Sequence, residues 1–187
     1  MKTLTIQMKV YGIFLLLVLF IFQACGQTPK AENPKNTIME NTFSKPGNPY
    51  YSQSDTTILK VSNEEWKKVL PPDVYAVMRE ADTERPFTGK YWNADSKGTY
   101  YCASCGNKLF KSDAKFASSC GWPSFFEQDN KKSIIYKNDY SYGMERIEAL
   151  CGRCNGHLGH LFDDGPQPTG KRYCMNSIAL DFIPDSK

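Results

Sequence analysis

The stretch CGRCNGHLGHLFDDGPQPTGKRYCMN, Cys151–Asn176, holds both histidines of the chain, three of its seven cysteines, two adjacent aspartates and an arginine two residues before a cysteine. Its short runs, separated by Gly and Pro turns, have the punctuation of β-structure. It begins with a knuckle, Cys151-Gly-Arg-Cys154, that repeats an earlier one, Cys102-Ala-Ser-Cys105. Each knuckle presents two thiolates on one tight turn, and two such turns together make a tetrahedral four-cysteine site suited to Zn2+. About 45 residues separate them, so the metal would tie two parts of one β domain together, and closing a long loop helps most. Two readings stand beside zinc: a pair of redox-active dithiols, or structural disulfides in an exported protein. Cys151, Cys154, His157 and His160 also recur every third residue, a spacing open to a local site of two cysteines and two histidines that leaves Cys102 and Cys105 without a role.

Further strands are expected at Thr99–Cys102, Lys108–Phe110, Ser133–Lys137, Tyr142–Leu150 and His160–Phe162, with a long last one over Arg172–Ile183. Helix signals precede them. Ser62-Asn-Glu-Glu65 is a capping box opening a short helix through Trp66, Val69 and Leu70, which Pro71 stops. Pro72 suits the first position of a second helix with Val74, Val77 and Met78 on one face. One mainly β domain, with short helices at its N-terminal end, is expected over residues 58–187.

Residues 1–25 read as a signal peptide: Lys2 and Lys9, an apolar run from Val10 to Phe22, then Ala24-Cys25-Gly26. The run is shorter than the roughly 20 residues that span a bilayer. The ending resembles a bacterial lipoprotein signal, in which Cys25 becomes the lipidated first residue. Phe22-Gln23 depart from that pattern, leaving ordinary cleavage as the alternative. Residues 26–57 are polar and proline-bearing, with too few apolar residues at any period to offset ordering, and are expected to be a flexible tether. This N-terminus implies a lipid-anchored protein of the cell envelope, facing the periplasm. The net charge of +3 is scattered rather than striped, which gives a nucleic-acid groove no support.

Strand alternation places Arg172, Cys174, Asn176, Ile178, Leu180 and Phe182 on one face, successive members about 6.5–7 Å apart. A guanidinium and an amide thus flank the Cys174 thiol, and a cation beside a thiol enriches the nucleophilic thiolate. A free cysteine is more often simply buried; the polar pair on an otherwise apolar face argues for reactivity. His157 and His160, with Asp163 and Asp164 just beyond, form a constellation suited to proton transfer near neutral pH. Cys120, in SSCGWPSFF, lies among Trp122, Phe125 and Phe126, either a core cluster or a thiol beside a pocket for thioethers and methyl groups.

Taken together, TERPFTGKYW (Thr83–Trp92), the two knuckles, CGWPSF (Cys120–Phe125), GMERIE (Gly143–Glu148), HLGHLFDDGP (His157–Pro166) and RYCMNS (Arg172–Ser177) resemble the B-type methionine sulfoxide reductases over roughly residues 60–183. The resemblance implies two packed antiparallel sheets with short N-terminal helices, clamped by one structural zinc on Cys102, Cys105, Cys151 and Cys154. It also implies reduction of the R epimer of methionine sulfoxide in proteins and peptides. By the same resemblance Cys174 is the nucleophile and Cys120 the resolving cysteine. His157, His160 and Asp164 form the acid cluster, with Arg172 and Asn176 flanking the nucleophile. Trp122 and Phe162 hold the substrate methyl group. The Cys174 sulfenic acid would pass to a Cys120–Cys174 disulfide, which a thioredoxin-like partner reduces by exchange. Two other classes compete: a thiol–disulfide oxidoreductase working through a C-x-x-C pair, and a non-enzymatic zinc-knuckle binding module.

Overall fold

The computed structural model describes residues 44–186. The expected signal peptide, the lipidation site Cys25 and most of the expected tether lie outside the described residues.

Ser62 caps the first helix, its hydroxyl accepting the Glu65 N–H at 3.3 Å, so α1 runs Asn63–Val69. Pro71 then ends it, and α2 runs Pro72–Glu80. Together they bury Trp66, Val77 and Met78. The strands are β1 (Gly98–Cys102), β2 (Lys108–Lys111), β3 (Lys115–Phe116), β4 (Ser124–Phe125), β5 (Ile134–Asp139), β6 (Arg146–Cys151), β7 (His157–Phe162), β8 (Arg172–Met175) and β9 (Leu180–Pro184). They form a three-stranded sheet, β2-β1-β9, and a six-stranded sheet, β3-β4-β8-β7-β6-β5. Every pairing is antiparallel. Aromatic rings join the sheets: Phe110 of β2 stacks on Phe125 of β4 at 4.1 Å, and Tyr100 of β1 meets Phe125 edge-on at 4.9 Å. Such contacts supply large buried area with fixed geometry.

Three expectations change. The long last strand is two strands in different sheets, divided by a 3-10 turn at Ser177–Ala179. Its cause is a side chain. The Glu84 carboxylate accepts the N–H of Ser177 at 2.6 Å and of Ile178 at 3.1 Å, taking donors that would otherwise continue a ladder. The alternation therefore holds only over Arg172–Asn176. The core face of β8 is Tyr173 and Met175, and Ile178, Leu180 and Phe182 do not extend the Cys174 face. Tyr142 sits in a 3-10 corner with φ 54°, ahead of the strand expected to include it.

The third change concerns residues 44–57, the described part of the expected tether. Asn48 and Tyr51 are buried, Asn48 donates to Ser104 O at 2.8 Å, and Ser52 N–H donates to Cys105 O at 2.9 Å. Arg153, inside the second knuckle, donates to Tyr50 O at 3.0 Å, to Thr57 O at 3.2 Å and to Cys105 O, and pairs with Asp55 at 2.7 Å. Hydrogen bonds and one buried cation hold this strap, and they leave no apolar period in the sequence.

Candidate active site and metal centre

The knuckles match in backbone as in sequence. Gly106 and Asn155 each follow a second cysteine with left-handed φ, 78° and 58°, and each N–H returns to the first cysteine's carbonyl at 2.8 Å. That turn aims two sulfurs the same way. Cys102 Sγ lies 3.7 Å from Cys154 Sγ and Cys105 Sγ 3.6 Å from Cys151 Sγ, with all four ligand atoms within 4.8 Å of one another. Sulfurs about 2.3 Å from a tetrahedral zinc stand about 3.8 Å apart, so the cluster fits the ion. Asn107 adds an N–H to Cys151 Sγ at 3.5 Å. The four cysteines thus provide one structural zinc site. Burial pushes the Cys102 and Cys105 thiols well up, so metal binding must displace protons and weakens as pH falls. None of the four is more than 2% exposed, which leaves no approach for a partner's disulfide. An oxidoreductase working through a C-x-x-C pair is thereby disfavoured. So is a metal site of Cys151, Cys154 and the two histidines, since His157 and His160 turn to carboxylates.

The remaining two described cysteines meet elsewhere. Cys120, on the loop before β4, places its sulfur 3.5 Å from that of Cys174 on β8. A cavity of about 120 Å3 opens beside Cys174, walled by Trp122, Phe162, His160, Asn176, Thr83 and Arg146. Trp122 is fixed through its ring N–H to Glu84 O at 3.1 Å. Asn176 donates to Leu158 O at 3.1 Å and accepts the Glu84 N–H at 3.1 Å. Glu84 thus secures one cavity wall, the Asn176 amide and the turn that ends β8. Gly159, opposite Met175 on β7, allows the two strands to close, because a Cβ there would lie 2.1 Å from Cys174 O.

Burial pushes the Cys174 thiol up to about 12, reinforced by the Cys120 sulfur and opposed by Arg172. At Cys120 burial also resists ionisation, yet hydrogen bonds from Ser118 and Ser124 bring its thiol down to about 7. Of the two thiols, Cys120 is thus the more readily ionised. Arg172 stacks on Phe162 at 4.3 Å and grips Asp164 through two hydrogen bonds of 2.8 Å.

His160 is the direct cross-strand partner of Cys174. Its Nε2 lies 2.8 Å from Asp139, and His157 Nδ1 lies 2.7 Å from Glu148. Burial holds His157 below the ordinary imidazole value although Glu148 pulls upward. Asp164, grouped with the histidines by resemblance, instead reaches the site through Arg172, and Asp163 pairs with Lys171. The carboxylates on the histidines are Asp139 and Glu148. Glu148 lay within GMERIE, where a buried glutamate on a strand was a usable signal. Asp139 and Glu84 are placed by the fold and had no distinguishing spacing.

Residues 70–184 match the family model described as the SelR domain. The chain belongs to this family, that of the B-type methionine sulfoxide reductases. A peptide methionine sulfoxide reductase MsrB of Methanosarcina barkeri is 55% identical over 121 residues, covering 65% of this chain and 85% of that protein. The proteins of the same name from Bradyrhizobium diazoefficiens and Agrobacterium fabrum are 53% and 50% identical, with 94% and 98% of their lengths covered and 70% of this chain in each case.

Proposed function

We propose that this protein reduces the R epimer of methionine sulfoxide in peptides and proteins to methionine, with Cys174 as nucleophile and Cys120 as resolving cysteine. The observation that carries the residue roles is the thiol pair: the sulfurs are 3.5 Å apart, and of the two only Cys174 walls the cavity. Trp122 and Phe162 offer the substrate methyl group an apolar seat, and Asn176 and Arg172 flank the attacking sulfur. The Cys174 thiolate attacks the sulfoxide sulfur. The oxygen is protonated from the histidine side and passes to Cys174 Sγ as the bond between the two sulfurs breaks, so methionine leaves and Cys174 becomes a sulfenic acid. Cys120 then attacks Cys174 Sγ, water departs, and the disulfide awaits a thioredoxin-like dithiol. Zinc stands apart from this sequence and secures the scaffold.

The N-terminal sequence supports export to the cell envelope with lipidation at Cys25. The repair would then act on oxidised envelope proteins, with a reductant on the same side of the membrane. Radiolabelled palmitate incorporation lost on Cys25→Ala tests that location.

The reaction is tested without any reductant. Reduced full-length protein mixed with an excess of peptide methionine R-sulfoxide should form one equivalent of methionine and a Cys120–Cys174 disulfide by peptide mapping. Methionine without loss of two thiols, or a disulfide within a knuckle, would contradict the residue assignment.

A further inference from the structure

The surface around Cys120 is built differently from the cavity beside Cys174. Phe87 is 55% exposed and holds a left-handed backbone, φ 66°, which a bulky residue seldom adopts. Two contacts fix it there. Its N–H donates to Gly121 O at 2.8 Å, and its ring meets Trp92 edge-on at 5.3 Å. Gly121 follows Cys120 directly. A Cβ at Gly121 would lie 2.8 Å from the Phe87 nitrogen and 3.0 Å from the Phe87 ring, so the ring packs against the Cys120 turn and only glycine leaves room for it. A hollow of about 310 Å3 continues from Trp92 past Lys115 and Ala117 to Ser118. The Ser118 hydroxyl donates to Cys120 Sγ at 3.1 Å. Phe87 and the hollow thus flank Cys120 on two sides, and neither Phe87, Trp92 nor Cys120 lines the cavity beside Cys174.

We propose that Phe87 and the hollow beside Trp92 form the docking surface for the reducing partner, a dithiol protein that seats an apolar surface next to its own thiols against the Phe87 ring. The proposal rests on the reductase reading and names where its partner binds. A solvent-facing apolar side chain on a strained backbone costs stability, and such residues cluster at functional sites. Sulfoxide chemistry uses the cavity and Cys174. Cys120 serves only the disulfide and its reduction, so a surface built on Cys120 outside the cavity serves the reductant. Redox encounters bury little area, less than about 1,200 Å2, and in so small a patch one aromatic anchor carries much of the binding. Once docked, the partner's thiolate bonds to Cys120 Sγ and the Cys120–Cys174 bond breaks. Cys174 leaves as a thiolate and takes the proton of the partner's second thiol. That second sulfur then displaces Cys120, so the partner's dithiol becomes a disulfide and this chain regains two thiols. Phe87 holds the partner and takes no part in either exchange.

The test forms the Cys120–Cys174 disulfide in the full-length protein with diamide, confirms it by peptide mapping, and follows its reduction by purified thioredoxin or by dithiothreitol in rapid mixing. Phe87→Asn removes the ring and keeps a residue that tolerates the left-handed backbone. It should lower the second-order rate with thioredoxin about tenfold, the scale of losing one aromatic anchor. The dithiothreitol rate and single-turnover formation of methionine should stay unchanged. Ala117→Glu, at an exposed position in the hollow, should also slow thioredoxin alone, and it covers the case in which the asparagine variant does not fold. Tyr142→Ala removes an aromatic side chain that is 91% exposed on the histidine side, and should leave the thioredoxin rate as it is. A thioredoxin rate unchanged in both Phe87→Asn and Ala117→Glu would overturn the proposal. So would equal slowing with dithiothreitol, which would make the ring a support for the disulfide itself. Slower methionine formation on a peptide with an unchanged thioredoxin rate would assign the patch to the substrate polypeptide instead. If wild-type protein formed no methionine at all, the reductase reading would fail separately, while the diamide-formed disulfide would still report on Phe87.

Discussion

Two thiol clusters in this molecule have almost the same sulfur spacing and opposite character. In the knuckles the nearest sulfurs are 3.6 and 3.7 Å apart; at Cys120 and Cys174 they are 3.5 Å apart. Distance does not distinguish a ligand set from a redox pair. Environment does. The knuckle sulfurs converge four at a time from two rigid turns, dry and without access. The second cluster has only two sulfurs, on different elements, beside a cavity, an arginine and a histidine. Four convergent thiolates suit a cation; two beside an opening suit thiol–disulfide exchange.

The largest test of the contrast removes a zinc ligand. Cys105→Ser should forfeit most of a metal-binding energy of about 10–16 kcal/mol, on the scale of zinc-finger peptides, and with it the cooperative fold. Metal analysis and thermal melting would show this, and a zinc-free variant melting like the parent would break the comparison.

Cys120→Ser should leave fold, zinc content and a single turnover, and abolish steady-state turnover with thioredoxin. It should also change the surviving thiol. The Cys120 sulfur raises Cys174, so its removal should bring the Cys174 alkylation midpoint below about 12. In the parent, the first thiol to be alkylated as pH rises should be Cys120, with a midpoint near 7. Rates of iodoacetamide labelling against pH, read by mass spectrometry, check both.

Arg153→Met tests whether the strap belongs to the zinc half of the molecule. It leaves buried carbonyls unmet, each costing about 1–3 kcal/mol, and should expose residues 45–57 to limited proteolysis while leaving the Cys120–Cys174 chemistry nearly unchanged. The smallest effect is expected at Asp164, whose side chain is 62% exposed. Arg172 holds its carboxyl below the usual range. The pair's contribution is therefore present above the ordinary carboxylate value and lost as pH falls through the lowered one. At neutral pH, Asp164→Asn should cost less than about 1 kcal/mol by denaturant titration, because solvent screens the pair.

The contrast was partly legible in the sequence. Both knuckles, the placement of Cys174 between Arg172 and Asn176 on one face, and both helices follow from spacing, alternation and caps. The two short strands β3 and β4 were too brief to give a period. The break at Ser177 depends on Glu84, more than ninety residues away in the chain. The carboxylates on the histidines come from β5 and β6, and no local pattern pairs Asp139 with His160. Strap residues 44–57 read as tether because much of their docking relies on hydrogen bonds to the Arg153 side chain and to backbone carbonyls, while their two adjacent tyrosines, Tyr50 against Trp66 and the buried Tyr51, set no apolar period.

The central claim is that Cys174 reduces one sulfoxide epimer. Full-length protein with a thiol reductant, offered peptide-bound methionine R-sulfoxide and S-sulfoxide separately, should consume the R epimer alone, and Cys174→Ala should consume neither. Consumption of the S epimer, or R-epimer turnover that survives Cys174→Ala, would contradict the account.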